Sequence, residues 1–377
     1  MSAAPMHIVQ VANFYGPRSG GLRTCLQALG RGYLAAGQHF SAVVPGEQDA
    51  TAETDFGTLY TVRSPVVRLL GDYRVIVRTR SVRRLLERLG PDRLEVSDRS
   101  TLHGLGTWAG RRGIPTVFFA HERLDGVLAS VGVPAGPARR LADLRNRRTA
   151  TSFGQVVATT SFAAVEFERI GATNLRRVPL GVDLSAHGAA DGSSGSPAQE
   201  GSRSLELLVC SRLSVEKQVE LAVRALIELR RRGVDAQLTV VGDGPQRQRL
   251  ERLAAGHPVR FLGFVTDRAE VAARQRAADI ALAPGPIETF GLAALECLAA
   301  GTPVVVNAAS ALPEVIGDDP AVGRAASGDP ESFADAVLAL AAAGHPTAAR
   351  ARAAQFPWSR TIDEMLSVHR IGSVLRA

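Results

Sequence analysis

Short apolar, often β-branched runs alternate with amphipathic helical patterns along almost the whole chain, and this alternation limits the possible folds most. Strands that alternate with helices in this way imply a parallel sheet, and a parallel sheet needs both faces covered. The first half gives strands at His7–Ala12, Phe40–Val44, Leu94–Val96, Pro115–Ala120 and Val156–Thr160. Helical patterns at Leu22–Ala36, Thr101–Arg111 and Phe162–Ile170 lie between them. The pattern then collapses into "SAHGAADGSSGSPAQEGSRS", which cannot bury a core and reads as a flexible linker. Beyond it the alternation restarts, with strands at Leu205–Cys210, Gln237–Val241, Val259–Leu262, Ile280–Ala283 and Pro303–Val306. Its helices are Gln218–Arg232, Gln246–Ala255, Arg268–Ala277, Phe290–Ala300 and Glu331–Ala343, and Trp358–Leu375 reads as one more. The expected organisation is α/β: a Rossmann-like domain over 1–185, a linker over 186–204 and a second Rossmann-like domain over 205–356. Residues 357–377 form a closing helix. Two doubly wound sheets facing each other would bring their carboxyl ends to a central cleft, where open α/β sheets bind ligands.

At 377 residues the chain is too long for one ordinary core. An apolar fraction of 45% and a charged fraction of 21% are those of a globular protein. No run reaches the roughly 18–20 apolar residues of a membrane span, and Met1–Met6 has no signal-peptide pattern. Cys25, Cys210 and Cys297 are too few and too scattered for a disulfide framework or a zinc site. A cytoplasmic protein is expected. The net charge of +7 is uneven: residues 1–185 hold 24 arginines against 15 acidic residues, and the remainder is slightly acidic. A basic half suits an anionic partner; a GC-rich genome that writes its surface in arginine would look the same. Lys217 is the single lysine among 44 basic residues, which marks it either as a place where an ammonium is required or as a chance occurrence.

Glu288 and Glu296 stand out in "PGPIETFGLAALECLAAGTPVV". The first follows a strand and the second lies in the next helix, about 12 Å further along its axis, so the two can contact different ends of an elongated ligand. Thr289, Phe290, Gly291 and Leu292 bring unpaired amides at that helix start, a ready site for phosphate. Arg212 and Lys217, in "VCSRLSVEKQVEL", follow strand Leu205–Cys210; a guanidinium fork and a compact ammonium suit a diphosphate. Glu216 offers an alternative, purely structural partner for them. Gly20 and Gly21 follow the first strand, where backbone amides could approach a phosphate or simply turn the chain. Gly242 and Gly244, in "VVGDGPQRQRL", form another strand–helix turn. His121 ends the apolar run "IPTVFFAHERLDG", at a position that faces a ligand rather than the core and could hydrogen-bond a sugar or shuttle a proton. No spacing of His, Cys or Asp suggests a metal.

With these residues in place, the chain resembles the retaining GT-B glycosyltransferases of family 4 over nearly its whole length. The resemblance rests on the Gly20-Gly21 loop, His121, "VPLGVD", "SRLSVEK", "VVGDGP", "FLGFV" and the E-x7-E pair. It implies a nucleotide-diphosphate sugar held by the C-terminal domain, an acceptor held by the N-terminal domain, and a last helix that crosses back to the latter. Arg212 and Lys217 would neutralise the diphosphate, with no cofactor or bound metal. Glu288 would bind donor-sugar hydroxyls and Glu296 the ribose, and the amides of Phe290 and Gly291 would bind sugar or phosphate. His121 would contact the donor sugar, and Phe264, Val265 and the Gly242–Gly244 turn would border the base. GDP-mannose is the favoured donor, with a UDP-hexose or UDP-N-acetylglucosamine as alternatives. The segment "ERLDGVLAS" departs from many family members, so the acceptor — sugar, lipid or natural product — does not transfer by analogy.

Two other classes compete. A nucleotide-sugar epimerase of the same fold would isomerise its donor without an acceptor. A nucleic-acid-binding protein would explain the basic half, but an aromatic content of 5% without aromatic–basic interleaving argues against base stacking, and no nucleic-acid partner is expected. An anionic membrane surface remains as a partner. Val82, Leu85, Leu86 and Leu89 share one helical face flanked by Arg83, Arg84 and Arg88, and a second basic run spans Arg139–Arg148. That apolar face either lies in lipid, making the protein peripheral at the membrane, or is simply domain core.

Overall fold

The structure, a computed structural model, describes residues 4–16, 19–67, 73–187 and 204–374, with side chains as far as 369. The chain divides into two compact units: Met1–Leu180 with Trp358–Ala377, and Gly181–Pro357.

In the first unit the chain runs through β1 (His7–Val11), α1 (Gly21–Ala35), β2 (His39–Gly46), β3 (Ala50–Thr54), β4 (Gly57–Arg63), β5 (Val66–Val67) and β6 (Tyr73–Arg74). It continues through α2 (Thr79–Leu89), β7 (Arg93–Val96), α3 (Gly104–Gly110), β8 (Thr116–Ala120), α4 (Leu124–Ser130), α5 (Ala135–Ser152), β9 (Gln155–Ala158), α6 (Ser161–Glu168) and β10 (Leu175–Arg177). An eight-stranded sheet has the order β10-β9-β8-β7-β1-β2-β4-β3. All its pairs are parallel except the edge pair β3–β4. β1 pairs with both β2 and β7, so the strand order reverses there, and the crevice beyond β1 and β7 is the topological switch point.

The second unit is built from β11 (Leu205–Cys210), α7 (Val219–Arg231), β12 (Ala236–Val241), α8 (Arg247–Leu253), β13 (Val259–Gly263), α9 (Arg268–Ala277), β14 (Ile280–Ala283) and α10 (Leu292–Ala300). β15 (Val304–Asn307), α11 (Leu312–Ile316), β16 (Gly323–Ala326), α12 (Pro330–Ala343) and α13 (Pro346–Ala353) complete it. Its six strands are ordered β13-β12-β11-β14-β15-β16, all parallel, with the reversal between β11 and β14. Both sheets are thus doubly wound and parallel, as the alternation requires. α14 (Trp358–Val374) packs in the first unit, where Met365 is fully buried. There the Thr361 hydroxyl donates to the Pro179 carbonyl at 2.8 Å, and His369 Nε2 meets the buried Glu95 carboxylate at 2.8 Å.

The stretch read as a linker falls mostly on 188–203, outside the described residues. Its start does not behave as a linker: Ser185–His187 forms a single 3-10 turn, and the His187 side chain is buried. β3, β4, α4, α5, α11, β16 and α13 were not legible as elements. They are short, at or next to a sheet edge, or rich in arginine and alanine without an apolar period.

The two basic runs are used differently. In α2, Val82, Leu85 and Leu86 are buried in the same core as Val9, Leu102 and Trp108, so the apolar face that could have met lipid is domain core. In α5 the small and polar residues Ala138, Ala142, Asn146 and Thr149 face inward. Leu141 (43% exposed) and Leu144 (49%) face outward. Arg140 and Arg148, one helical turn away, are exposed beside them.

Candidate active site

At the second switch point, the loop after β11 carries Arg212 and that after β14 carries Glu288. Gly242 fixes the first loop. Its φ is +138°, and a β-carbon there would lie 1.9 Å from the Ser211 carbonyl oxygen. Gly244 is equally tight, its β-carbon falling 2.5 Å from the Leu213 oxygen. Backbone therefore packs on backbone, sealed by Leu213 N–H to the Asp243 carbonyl (3.0 Å) and Gln246 N–H to the Leu213 carbonyl (2.8 Å). The glycines that read as a plain turn hold the Arg212 loop in place.

A 3-10 turn at Val215–Lys217, ended by Gln218 in the left-handed region (φ +46°), presents Lys217 before α7 begins. The Lys217 ammonium forms an ion pair with Glu288 Oε1, both side chains being less than a third exposed. Glu216, the alternative partner, instead accepts from the Ser214 hydroxyl. The Glu288 carbonyl accepts from Ala311 N–H at 2.9 Å, which pins the loop from the far side. α10 starts at Gly291, whose φ of +77° and 2.3 Å β-carbon approach to Leu312 Cδ2 leave room only for glycine. Gly291 brings no capping side chain, so no side chain from the cap competes for the helix's first amides. Thr289, Phe290 and Leu292 are buried, Phe290 edge-on to Phe356, so Phe290 and Leu292 can offer a ligand only their backbone.

Glu296 lies further along α10, partly buried. Loss of water pushes its carboxyl above the usual range, and the opposing charges of His187 and Arg268 do not cancel that. Neither residue was singled out in the sequence. His187 was hidden in the apparent linker, and Arg268 looks like any other arginine. Phe264 is 39% exposed, Val265 is partly buried, and Gly242 N–H donates to the Gly263 carbonyl at 2.8 Å, placing all three around one turn.

At the first switch point, His121 stands one residue past β8, stacked on Phe119 with ring centroids 4.5 Å apart. Its Nε2 lies 3.3 Å from the Ser97 hydroxyl. Burial, and then the Arg99 charge, push its pKa down to about 4. Arg99 donates to Asn146 and to the Glu122 carbonyl, and pairs with the buried Glu166 at 3.3 Å. Glu166 in turn accepts from the amides of Leu124 (3.0 Å) and Asp125 (2.7 Å), the start of α4. The "ERLDGVLAS" segment is therefore tied down by an arginine 23 positions before Glu122 and a glutamate on α6. Gly20 is the N-cap of α1 with an ordinary φ of −86°, and a β-carbon there would meet nothing within 4 Å. Packing leaves the position open, while its ψ of −110° lies outside the α and β regions that other residues adopt. Gly21 opens the helix and is exposed. Among the described residues no cluster of three or more His, Cys, Asp or Glu could hold a metal, and no helix is long and apolar enough to cross a membrane.

Comparison with known proteins places these sites in context. The family described as "Glycosyl transferases group 1" matches residues 204–343, and the "Glycosyl transferase 4-like domain" matches residues 20–181. The GDP-mannose-dependent alpha-(1-6)-phosphatidylinositol dimannoside mannosyltransferase of Mycobacterium tuberculosis is 46% identical over 367 residues, covering 96% of this chain and 95% of that protein. The D-inositol 3-phosphate glycosyltransferase of Saccharomonospora viridis is 29% identical, covering 71% of this chain and 68% of its own. Among solved structures, sucrose-phosphate synthase from Thermosynechococcus elongatus shares the fold with a TM-score of 0.77 at 20% identity, covering 97% of this chain and 98% of its own. An Anabaena protein solved with UDP and glucose follows at 0.72 and 17%, covering 96% and 98%.

Proposed function

Because the chain belongs to the glycosyl transferases group 1 family, we propose that it moves a mannosyl residue from GDP-mannose to a hydroxyl of a phosphatidylinositol-based glycolipid, with retention of configuration. The observation that carries this reading is the near full-length match, at 46% identity, to an enzyme named for that donor and that lipid class.

The residues have chemistry that suits it. As the glycosidic bond breaks, negative charge builds on the diphosphate. Arg212 as a fork, Lys217 as a point charge and the first amides of α10 would meet that charge without a metal. The Lys217–Glu288 pair keeps both charges partnered until the diphosphate takes the ammonium and a sugar hydroxyl takes the carboxylate. Glu296 binds the ribose, while Phe264, Val265 and Gly242 border the base. Gly20 and Gly21 leave the backbone open beside the donor phosphates, and His121 contacts the donor sugar. The leaving phosphate removes the acceptor's proton on the face it departs from, which retains configuration. Incubation with phosphatidylinositol mannosides should add one hexose mass from GDP-mannose and none from UDP-glucose or UDP-N-acetylglucosamine. Transfer from a UDP-sugar alone, or isomerisation of a UDP-sugar without acceptor, would overturn the assignment.

A lipid acceptor brings the enzyme to an anionic bilayer as a peripheral protein. The outward face of α5, with Leu141, Leu144, Arg140 and Arg148, supports that reading, each cation adding roughly 1 kcal/mol near anionic lipid. Co-sedimentation should be strong with phosphatidylinositol-containing vesicles, weak with neutral ones, and lost in Leu141→Gln/Leu144→Gln. Equal binding to both vesicle types, or none to either, would remove the membrane role.

A further inference from the structure

The turn that carries His121 from β8 into α4 has little packing to hold it. β8 ends at Ala120, and α4 contains no buried side chain. Its N-cap residue, Arg123, makes no side-chain capping bond. Two side chains from other loops and helices supply what is missing. Glu166, on α6 and 1% exposed, accepts from Leu124 N–H through Oε2 (3.0 Å) and from Asp125 N–H through Oε1 (2.7 Å). Arg99, its side chain 10% exposed, has its guanidinium 5.5 Å from the Phe118 ring centroid and 5.6 Å from that of Phe167. It donates from Nη2 to the Glu122 carbonyl and from Nη1 to Asn146 and Glu166. The backbone is thus gripped at Glu122, Leu124 and Asp125, directly beyond His121. Burial, and then the Arg99 charge, lower the His121 pKa, which puts Arg99 beside the ring as well. Toward β1 and β7, Ser97 lies 3.3 Å from His121 Nε2 and accepts from Gln10 Nε2 at 3.0 Å.

Stability alone does not account for charges in this place. Apolar side chains of similar volume stabilise a core as well as a buried ion pair does, or better. They could neither donate to the Glu122 carbonyl nor accept from two amides. The chemical form matters too. A glutamine at 166 would keep one acceptor oxygen and turn an N–H toward a backbone N–H. A lysine at 99 would keep the cation but lose the fork that spans Glu122, Asn146 and Glu166.

We propose that Arg99 and Glu166 are positioning residues, a clamp that fixes the turn Glu122–Asp125 and through it holds His121 in place. The consequence for catalysis rests on the reading of His121 as the donor-sugar contact; the clamp itself does not. With the sheet on one side of His121 and the clamp on the other, the imidazole has no slack backbone through which to drift from the reacting sugar.

The test uses the full-length protein and combines amide hydrogen exchange with kinetics on GDP-mannose and phosphatidylinositol mannosides. Glu166→Gln should speed exchange at Leu124 and Asp125 at least about tenfold while the β8 amides stay protected. The same variant should lose about tenfold in kcat, with donor KM changed less than about twofold. A single change leaves a buried charge unpaired, so Arg99→Met/Glu166→Leu removes both charges. That protein should melt within about 3 °C of the wild type, yet exchange and turn over as Glu166→Gln does. Arg99→Lys should keep Leu124 and Asp125 protected, because Glu166 remains, and still lower kcat about fivefold, because Glu122 is released. Unchanged exchange at Leu124 and Asp125 in Glu166→Gln would overturn the proposal. So would wild-type kcat in the doubly apolar variant or in Arg99→Lys, or a doubly apolar variant that melts far below the wild type, since the charges would then serve stability. Exchange needs no substrate, so it decides the clamp separately from the function. A His121→Gln enzyme with undiminished transfer overturns the sugar contact instead.

Discussion

The two switch points reach their geometry by opposite means. In the second unit, backbone does the positioning: Gly242 and Gly244 let two loops touch main chain to main chain, and Gly291 turns the chain into α10. The charged groups Arg212, Lys217 and Glu288 stand on that frame, and the partial exposure of the Lys217 and Glu288 side chains leaves both within reach of a ligand. In the first unit, buried and half-buried side chains do the positioning, through Gln10, Ser97, Arg99 and Glu166, and a β-carbon on the corresponding loop glycine, Gly20, would meet nothing within 4 Å. A frame made of backbone tolerates changes in its charged groups but not in its glycines. A frame made of side chains fails piece by piece.

The largest expected effect tests the first half of that contrast. Lys217→Ala and Arg212→Ala should each lose on the order of 10²–10³ in turnover while unfolding as the wild type does, because the frame is untouched. Near-normal turnover in a folded Lys217→Ala protein would break the assignment.

Stability should show the reverse. Gly242→Ala places a β-carbon 1.9 Å from a carbonyl oxygen at positive φ and should cost roughly 3 kcal/mol or more in denaturant unfolding. Gly20→Ala meets open space and should cost about 1 kcal/mol, from its ψ of −110° alone. Equal costs at the two glycines would erase the distinction between the loops.

The pH response belongs to the side-chain frame. His121 is held with a pKa of about 4 against an ordinary 6.5, so the unfolded chain takes up the proton first. The neutral histidine therefore favours the fold fully above about pH 6.5, and that advantage falls away as pH drops toward 4, by roughly 2–3 kcal/mol. Unfolding free energies of wild type and His121→Gln, measured between pH 7.5 and 4, should converge in slope only above pH 6.5. Parallel curves throughout would place His121 in water.

The smallest effect separates the two glutamates on the backbone frame. If Glu296 holds ribose, Glu296→Gln should raise donor KM about tenfold with kcat nearly kept, since ribose contacts change little as the bond breaks. Glu288→Gln should instead lower kcat. Matching kinetic signatures would remove the division of roles.

The contrast also explains what could be read in advance. Alternation of 2- and 3.6-residue periods, glycine turns, a solitary lysine and the E-x7-E spacing are local features, set by backbone geometry within a few positions, and so the sequence by itself determined two doubly wound sheets and pointed to most of the residues that meet at the second switch point. What pairs across the sheet is not local. Lys217 meets Glu288, 71 positions away, rather than the adjacent Glu216, because β11 and β14 are neighbours at the reversal of strand order. Arg99, in a loop whose composition carries no period, meets Glu166 on α6, 67 positions away. Two arginine-rich helices look alike in one dimension, yet α2 buries its leucines and α5 turns two outward, since only the packing of each helix on its sheet decides which face loses water.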